Sequence, residues 1–293
     1  MILVSLVGEQ PIPNILPLWQ FPEFTRTQFA ATRATLGHAE QMRQAIAADA
    51  SLKHVEVLPP LTIEPYDLQK TRLVLSQAMS RHLEQGDTVC LNLTAGTKLM
   101  SLAALQAAYG TGITLLYVAT ETNQMIFLRS DGVEFKRQPI EVSISVEQYL
   151  RAYGFEVSQD RGFRPPREGD ALEEEVERRL KESGFFDDVQ RNVLIRRVKE
   201  HGEVKNELDV AATRNGHLAV CSCKAVNSLN RESLYELSSV VRREYAGIYC
   251  GKVLATTAEV TDGLRERARL WGIELVDAPQ LWNIAYYMER ATR

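Results

Sequence analysis

The chain has 293 residues, enough for two ordinary domains, and its 45% hydrophobic and 25% charged residues are those of a globular protein. No run approaches the ~20 apolar residues of a membrane-spanning helix, and 34 Lys+Arg against 38 Asp+Glu (net −4) excludes a strongly basic coat for nucleic acid. The opening MILVSLVGEQPIPN lacks a basic region and a small-residue cleavage site, and four cysteines make no disulfide framework, so the expected setting is the cytoplasm with no membrane attachment.

Residues 1–7 form a continuous apolar run, as a strand buried on both faces does. A second strand is expected at 28–32, then a helix over 39–48. A strand at 54–58 should stop at Pro59-Pro60. Residues 66–83 carry helical apolar spacing at Leu68, Leu73, Leu75, Met79 and Leu83. A strand at 88–93, a helix over 98–109 and two strands at 114–120 and 125–128 follow. Strands alternating with helices predict a mainly parallel, doubly wound sheet, whose ligands bind beyond the carboxyl ends of the strands. Two strand-end loops are candidates, GEQPIPN at 8–14 and NLTAGTK at 92–98. Thr94, Gly96 and Thr97 offer N–H groups and hydroxyls to an anion at a helix N-terminus, and Lys98 adds charge. The plainer alternative is a strand-to-helix turn capped by Thr94. Neither a Walker A nor a GxGxxG spacing is present.

Charge density changes along the chain. Residues 1–150 hold 25 charged side chains and residues 151–293 hold 47, and the stretch 159–170 between them has two Gly, two Pro and mixed charge. It reads as a linker, which divides the chain into a domain at 1–150, a linker at 151–170 and a domain at 171–293.

The second half begins with a helix over 172–182 and a strand at 189–198. The strand NELDVAAT at 206–213 puts Glu207, Asp209 and Ala211 on one face and Leu208 and Val210 on the other. Asn215-Gly216 is a strong hairpin signal. The returning strand, 218–225, puts Ser222 and Lys224 on one face and Cys221 and Cys223 on the other. A tight hairpin therefore sets acidic groups beside a lysine on a mostly apolar sheet. Carboxylates hold a hard divalent cation that activates water toward a phosphodiester, and a lysine steadies the charge that develops. The alternative is a surface ion pair across a hairpin. A helix over 231–243 carries Glu232 and Glu236 four residues apart.

Asp209, the hairpin and Ser222-Cys-Lys224 resemble the core of the PD-(D/E)xK nucleases, and Glu173 in GDALE at 169–173 resembles their helix glutamate. The 8–14 and 92–100 loops resemble the ligand loops of CARF domains, the CRISPR-associated Rossmann folds. Together and in this order they resemble the cyclic-oligoadenylate-activated CARF nucleases of type III CRISPR systems. The resemblance implies an α/β chain, a Rossmann-like CARF domain followed by a restriction-endonuclease-like PD-(D/E)xK α/β domain. It implies a homodimer activated by cyclic tetra-adenylate, which Gly8, Gln10, Pro11, Asn14, Thr94, Ala95, Gly96, Thr97 and Lys98 would bind. It implies a metal-dependent endonuclease of antiviral defence acting on DNA or RNA. Glu173, Glu207, Asp209, Lys224 and Glu236 would be catalytic, and Glu173, Asp209 and the Cys223 carbonyl would hold Mn2+ or Mg2+. Ser222 stands where the family has an acidic residue, which puts a three-carboxylate site in question.

Basic residues near the core (Arg191, Arg196, Arg197, Lys199, Arg231, Arg242, Arg243) are candidates to steer a phosphate backbone. His217 with Cys221 and Cys223 lacks the second pair of ligands a zinc site takes, so these cysteines read as small core residues. Arg196 and His201 match an R-x4-H ribonuclease motif in a setting that is not helical. His38, His54 and His82 read as structural. Two other functions stay open, a ligand-responsive regulator and a ring nuclease that degrades the cyclic ligand.

Overall fold

The computed structural model describes residues 1–159, 169–199, 202–242 and 246–292, and every structural statement below refers to these. They form two compact units, one of residues 1–142 with 152–154 and one of residues 143–151 with 155–293.

In the first unit the apolar run becomes strand β1 (Ile2–Leu6), buried at every position. Helix α1 (Ile12–Gln20), β2 (Arg26–Ala31), α2 (Leu36–Ala48) and β3 (Glu56–Thr62) follow. After them come α3 (Leu68–Glu84), β4 (Val89–Asn92), α4 (Lys98–Ala108), β5 (Thr114–Ala119), β6 (Gln124–Leu128) and β7 (Glu134–Pro139). The sheet order is β3-β2-β1-β4-β5-β6-β7. Strands β1 to β5 run parallel, and β6 and β7 return antiparallel. Leu75 and Met79 of α3 and Met100 and Ala104 of α4 bury the face of Ile2, Val4 and Leu6.

Three expectations need correction here. Strand β3 runs through Pro59-Pro60 instead of stopping before them. It is an edge strand paired to β2 alone, and a bulge sets both prolines opposite Phe29, so one missing N–H faces the open side and the other falls where the ladder is interrupted. Leu73 and Leu83 of α3 are exposed, and the buried stripe runs through Thr71, Leu75, Ala78, Met79 and His82. The 8–14 segment is not loop throughout. Helix α1 begins at Ile12 with Pro13 in its first turn, where a missing N–H is harmless.

The second unit takes α5 (Val146–Ala152) and β8 (Glu156–Gln159), the latter lying within the stretch expected to be linker. Residues 160–168 of that stretch lie outside the described residues. Helix α6 (Asp170–Ser183), β9 (Asp188–Lys199), β10 (Gly202–Arg214), β11 (His217–Lys224) and α7 (Arg231–Val240) follow. The chain ends with β12 (Gly251–Thr256), α8 (Asp262–Leu270), β13 (Ile273–Val276) and α9 (Ile284–Ala291). The sheet order is β13-β12-β11-β10-β9-β8, with β11, β12 and β13 parallel and the others antiparallel. Leu172, Val176 and Leu180 of α6 and Ile284 and Met288 of α9 cover the face of Val210, Ala212, Cys221, Cys223, Val253 and Ala255. By strand alternation Asp209, Ser222 and Lys224 face the other side, where α7 lies. No helix is long and apolar enough to cross a membrane.

Candidate functional site

The β10–β11 hairpin turns on Asn215 (φ 48°) and Gly216 (φ 78°), both left-handed as a tight two-residue turn requires. Its register pairs Arg214 with His217 and Val210 with Cys221, which carries Asp209 opposite Ser222. The Ser222 hydroxyl donates to Asp209 Oδ2 at 3.1 Å, and the Cys223 N–H donates to the same oxygen at 2.7 Å. Both bonds fall on Oδ2, so Oδ1 carries neither. Lys224 Nζ lies 2.9 Å from Glu236 Oε2 of α7. Both side chains reach solvent, so this pair adds little stability and its significance is positional. Glu207 stands two residues before Asp209 on the same strand, opposite Leu194. Glu173 sits in the first turn of α6 with Oε2 buried.

Sequence reasoning missed Asn192. The β9–β10 ladder pairs Val193 with Leu208 and Arg191 with Val210, but skips the Asn192–Asp209 step. Asn192 is in the left-handed region (φ 54°), and its Oδ1 is buried without a hydrogen-bond partner. Asparagine adopts this backbone region more readily than other residues with a side chain, and positive-φ residues of this kind cluster at functional sites. No sequence signal marked it, because it belongs to no motif and its backbone conformation is not written in the residue type.

Cys221 and Cys223 lie in the core, their sulfurs 4.0 Å apart. The Cys221 contact and burial, then the charges of Cys221, Asp209 and Glu173, push the Cys223 thiol well above its ordinary value. It stays protonated and is no thiolate ligand. That effect also brings Glu173 and Asp209 to bear on the same residue. No group of three His, Cys, Asp or Glu side chains stands ready to hold a metal among the described residues. The donors that fit one are oxygens, on Asp209, Glu173 and the Cys223 peptide, which is the chemistry a hard divalent cation takes.

Several basic candidates are already engaged. Arg191 pairs with Glu174 and Glu177, Arg196 with Glu156 and Glu203, and Arg197 is buried over the Phe155 ring. Arg231 and Arg242 are exposed. His201 and Arg243 lie outside the described residues, as does the Lys199 side chain.

In the first unit, β1 leads through α1 to β2 on one side, and β4 leads through α4 to β5 on the other. The gap between β1 and β4 is thus the topological switch point of the sheet. The two candidate loops meet there. A Cβ on Gly8 would stand 2.8 Å from Gly96 N, so only glycine permits this approach. Asn92 is wholly buried. Its Oδ1 accepts from Thr94 N (3.1 Å) and Thr94 Oγ1 (2.6 Å), and its Nδ2 donates to the Pro13 carbonyl (2.9 Å). That carbonyl needs a donor because Pro17, four residues on in α1, has no N–H to offer. Asn92 therefore ties the second loop to the helix after the first.

The hydroxyls expected to face an anion are committed to the loop. Thr94 Oγ1 accepts from Val118 N, and Thr97 Oγ1 accepts from Met100 N and donates to the Pro65 carbonyl. Thr97, not Thr94, caps α4. The N–H groups of Ala95 and Gly96 enter no hydrogen bond among the described residues, and Lys98 is exposed. Gln10 accepts from the Tyr153 hydroxyl at 2.9 Å. Pro11 is buried, and Asn14 lies wholly inside on α1, so neither reaches the loop surface as expected. His38, read as structural, holds the Gly8 carbonyl at 3.0 Å through Nδ1.

A family model of the Card1 CARF domain matches residues 2–149, and one of the Card1-like endonuclease domain matches residues 164–292. The chain belongs to the Card1-like CARF–endonuclease family. Among curated proteins none matches the Card1-like chain in sequence. Among solved structures it is similar to Can2 from Sulfobacillus thermosulfidooxidans in complex with cyclic tetra-adenylate, at 19% identity, covering 99% of this chain and 97% of that one, with a TM-score of 0.81. Protein VC1899 from Vibrio cholerae matches at 14% identity, over 99% and 97% of the two chains, with a TM-score of 0.80. A type III CRISPR defence DNA nuclease activated by cyclic oligoadenylate matches at 18% identity, over 89% of this chain and 46% of that one, with a TM-score of 0.61. At these identities the likeness establishes the fold. The Card1-like chain thus carries a Rossmann-like CARF domain followed by an endonuclease domain, the order expected from its motifs.

Proposed function

We propose that this chain is a metal-dependent endonuclease of type III CRISPR defence, switched on by a cyclic oligoadenylate. The observation that carries the reading is the set of polar groups on one sheet face of the endonuclease domain, Asp209 held by Ser222 and Cys223 beside Lys224 held by Glu236. Asp209 and Glu173, with the Cys223 carbonyl, would hold Mn2+ or Mg2+. Such an ion, when bound, polarises the phosphate and makes water nucleophilic near neutral pH. The chain's own groups do the rest. Ser222 and the Cys223 N–H fix the Asp209 carboxylate, and Lys224 holds the attacking water and balances charge building on the phosphate oxygens. Glu236 sets the reach of Lys224, and Glu207 adds negative potential on the same strand.

The activator is cyclic tetra-adenylate, the ligand solved with the similar Can2. Its phosphates would meet the N–H groups of Ala95 and Gly96 and the charge of Lys98, with Gly8 and Gln10 forming the facing loop. A ligand with repeated symmetry suits a two-fold dimer. Tyr66, Leu73, Leu99 and Leu102, apolar and exposed around α3 and α4, supply a surface for the second copy. Four free, buried cysteines suit a reducing cytoplasm. Degradation of the ligand by the first unit is disfavoured, because the Thr94 and Thr97 hydroxyls are already bonded.

The test is cleavage of supercoiled plasmid and labelled single-stranded RNA with Mn2+, with and without cyclic tetra-adenylate. Cleavage is expected only with the ligand, and Asp209→Ala or Lys224→Ala should remove it by at least about a hundredfold. Full activity in either variant, or equal activity without ligand, overturns the reading.

A further inference from the structure

Helix α7 does more than carry Glu236 to Lys224. Tyr235, Ser238 and Ser239 of this helix and Arg242 just beyond its end line an open cavity of about 530 Å3 together with Lys252 and Trp271. The Tyr235 and Trp271 rings lie 4.5 Å apart at 51°, and Tyr235 keeps 48% of its surface in solvent. Ser238 Oγ is buried without a hydrogen-bond partner. Lys252 Nζ donates to the Trp271 carbonyl at 2.8 Å. Neither Lys252 nor Arg242 meets a carboxylate among the described residues.

The cavity shares a sheet face with the nuclease cluster. Parallel pairing sets Val220 beside Lys252, Ser222 beside Leu254 and Lys224 beside Thr256. The side chains of Lys252 and Lys224 therefore leave the sheet on the same side. Four residues of β12 separate the two levels, about 13 Å of strand rise. That equals about four nucleotides at the 3.4 Å spacing of a stacked strand, and fewer if the strand is stretched.

We infer that this cavity is a second substrate subsite, which takes an unstacked base of a single-stranded nucleic acid a few nucleotides from the scissile phosphate. It rests on the endonuclease reading above and adds a contact site outside the cleavage cluster. The exposed face of Tyr235, backed by Trp271, is the stacking platform. Arg242 and Lys252 meet the flanking phosphates, and Ser238 Oγ offers a hydrogen bond to the base edge or sugar. Stacking needs a base free of its pair, so the subsite favours single strands over duplex.

Labelled single strands of graded length, cut by the activated full-length protein with Mn2+, test this. Tyr235→Ala is expected to raise KM about tenfold on a strand of ~12 nucleotides with kcat within twofold, and Tyr235→Phe to restore KM. On a dinucleotide, whose two bases both flank the scissile phosphate and cannot span the distance to the cavity, Tyr235→Ala and the unaltered protein should match. Arg242→Ala and Lys252→Ala should each lower the salt dependence of KM by about 0.7 in the log–log slope. An unchanged KM for Tyr235→Ala on the long strand, with cleavage intact, overturns the subsite and leaves the endonuclease reading standing. Loss of kcat on long and short strands alike marks a structural role for Tyr235 and also overturns it. No cleavage by the unaltered protein overturns the endonuclease reading and the subsite together.

Discussion

Ser222 stands two residues before Lys224, where a carboxylate is expected, and it acts as a donor to Asp209 rather than as a ligand. Removing its hydroxyl leaves the Cys223 N–H as the remaining bond to Oδ2. Ser222→Ala is therefore expected to cost about 1 kcal/mol of stability. Cleavage should fall several-fold rather than vanish, as activity assays against Asp209→Ala would show. His82 gives a pH dependence of stability. Burial holds its pKa below the ordinary 6.5, against the opposing pull of Asp87 and with further lowering by Arg26 and Arg81. The neutral ring, bonded to Gln28 Oε1 at 2.8 Å, is the native form. A histidine with a lowered folded pKa contributes its full stability above its unfolded value, and that stability is lost as pH falls from about 6.5 toward the folded value. Thermal melts between pH 7.5 and 5 should drop more steeply for the unaltered chain than for His82→Gln. The motif residues were legible in sequence because each is a side chain at a fixed spacing. Asn192 and His38 were not, since their roles come from a backbone twist and from a contact 30 residues away.

The elements that sequence named most cleanly are those whose pattern is purely local. The buried run of β1 and the Asn215-Gly216 hairpin needed no partner to be recognised. Helix α1 was hidden by Pro13 and Pro17, and its tolerance of Pro17 depends on Asn92 from a distant strand. Strand β7 was hidden because its residues are polar and mostly exposed, as an outermost strand permits. The meeting of the two strand-end loops is likewise a property of sheet order. It gives a prediction at this scale. Gly8→Ala drives a methyl to within 2.8 Å of Gly96 N, so the loops must part. Binding of cyclic tetra-adenylate, followed by calorimetry, should weaken at least tenfold while the melting temperature moves by only a few degrees. A large fall in melting temperature with unchanged affinity would contradict the role given to this contact.

Across the whole chain, the polypeptide passes between its two units three times, at 142/143, 151/152 and 154/155. Composition located the change of charge density but had no means of registering this interleaving. Residues 143–151 supply bonds to the second unit. Val146 N–H donates to Asp188 Oδ2, the Thr213 hydroxyl to the Ile144 carbonyl and the Tyr149 hydroxyl to the Ala246 carbonyl, at 2.9, 2.6 and 2.7 Å. A fragment of residues 155–293 is therefore expected to melt well below one of residues 143–293, by circular dichroism. Equal melting would mean that the segment is dispensable. Pro59-Pro60 has a consequence at the same scale. An open strand edge is a template on which another chain can add, and repeated addition ends in fibrils. Two adjacent residues without N–H groups on β3 break that template at one margin of the first sheet. The charged side chains of Glu134, Lys136 and Arg137 do the same on β7 at the other. The first sheet is thus protected against growth at both of its ends.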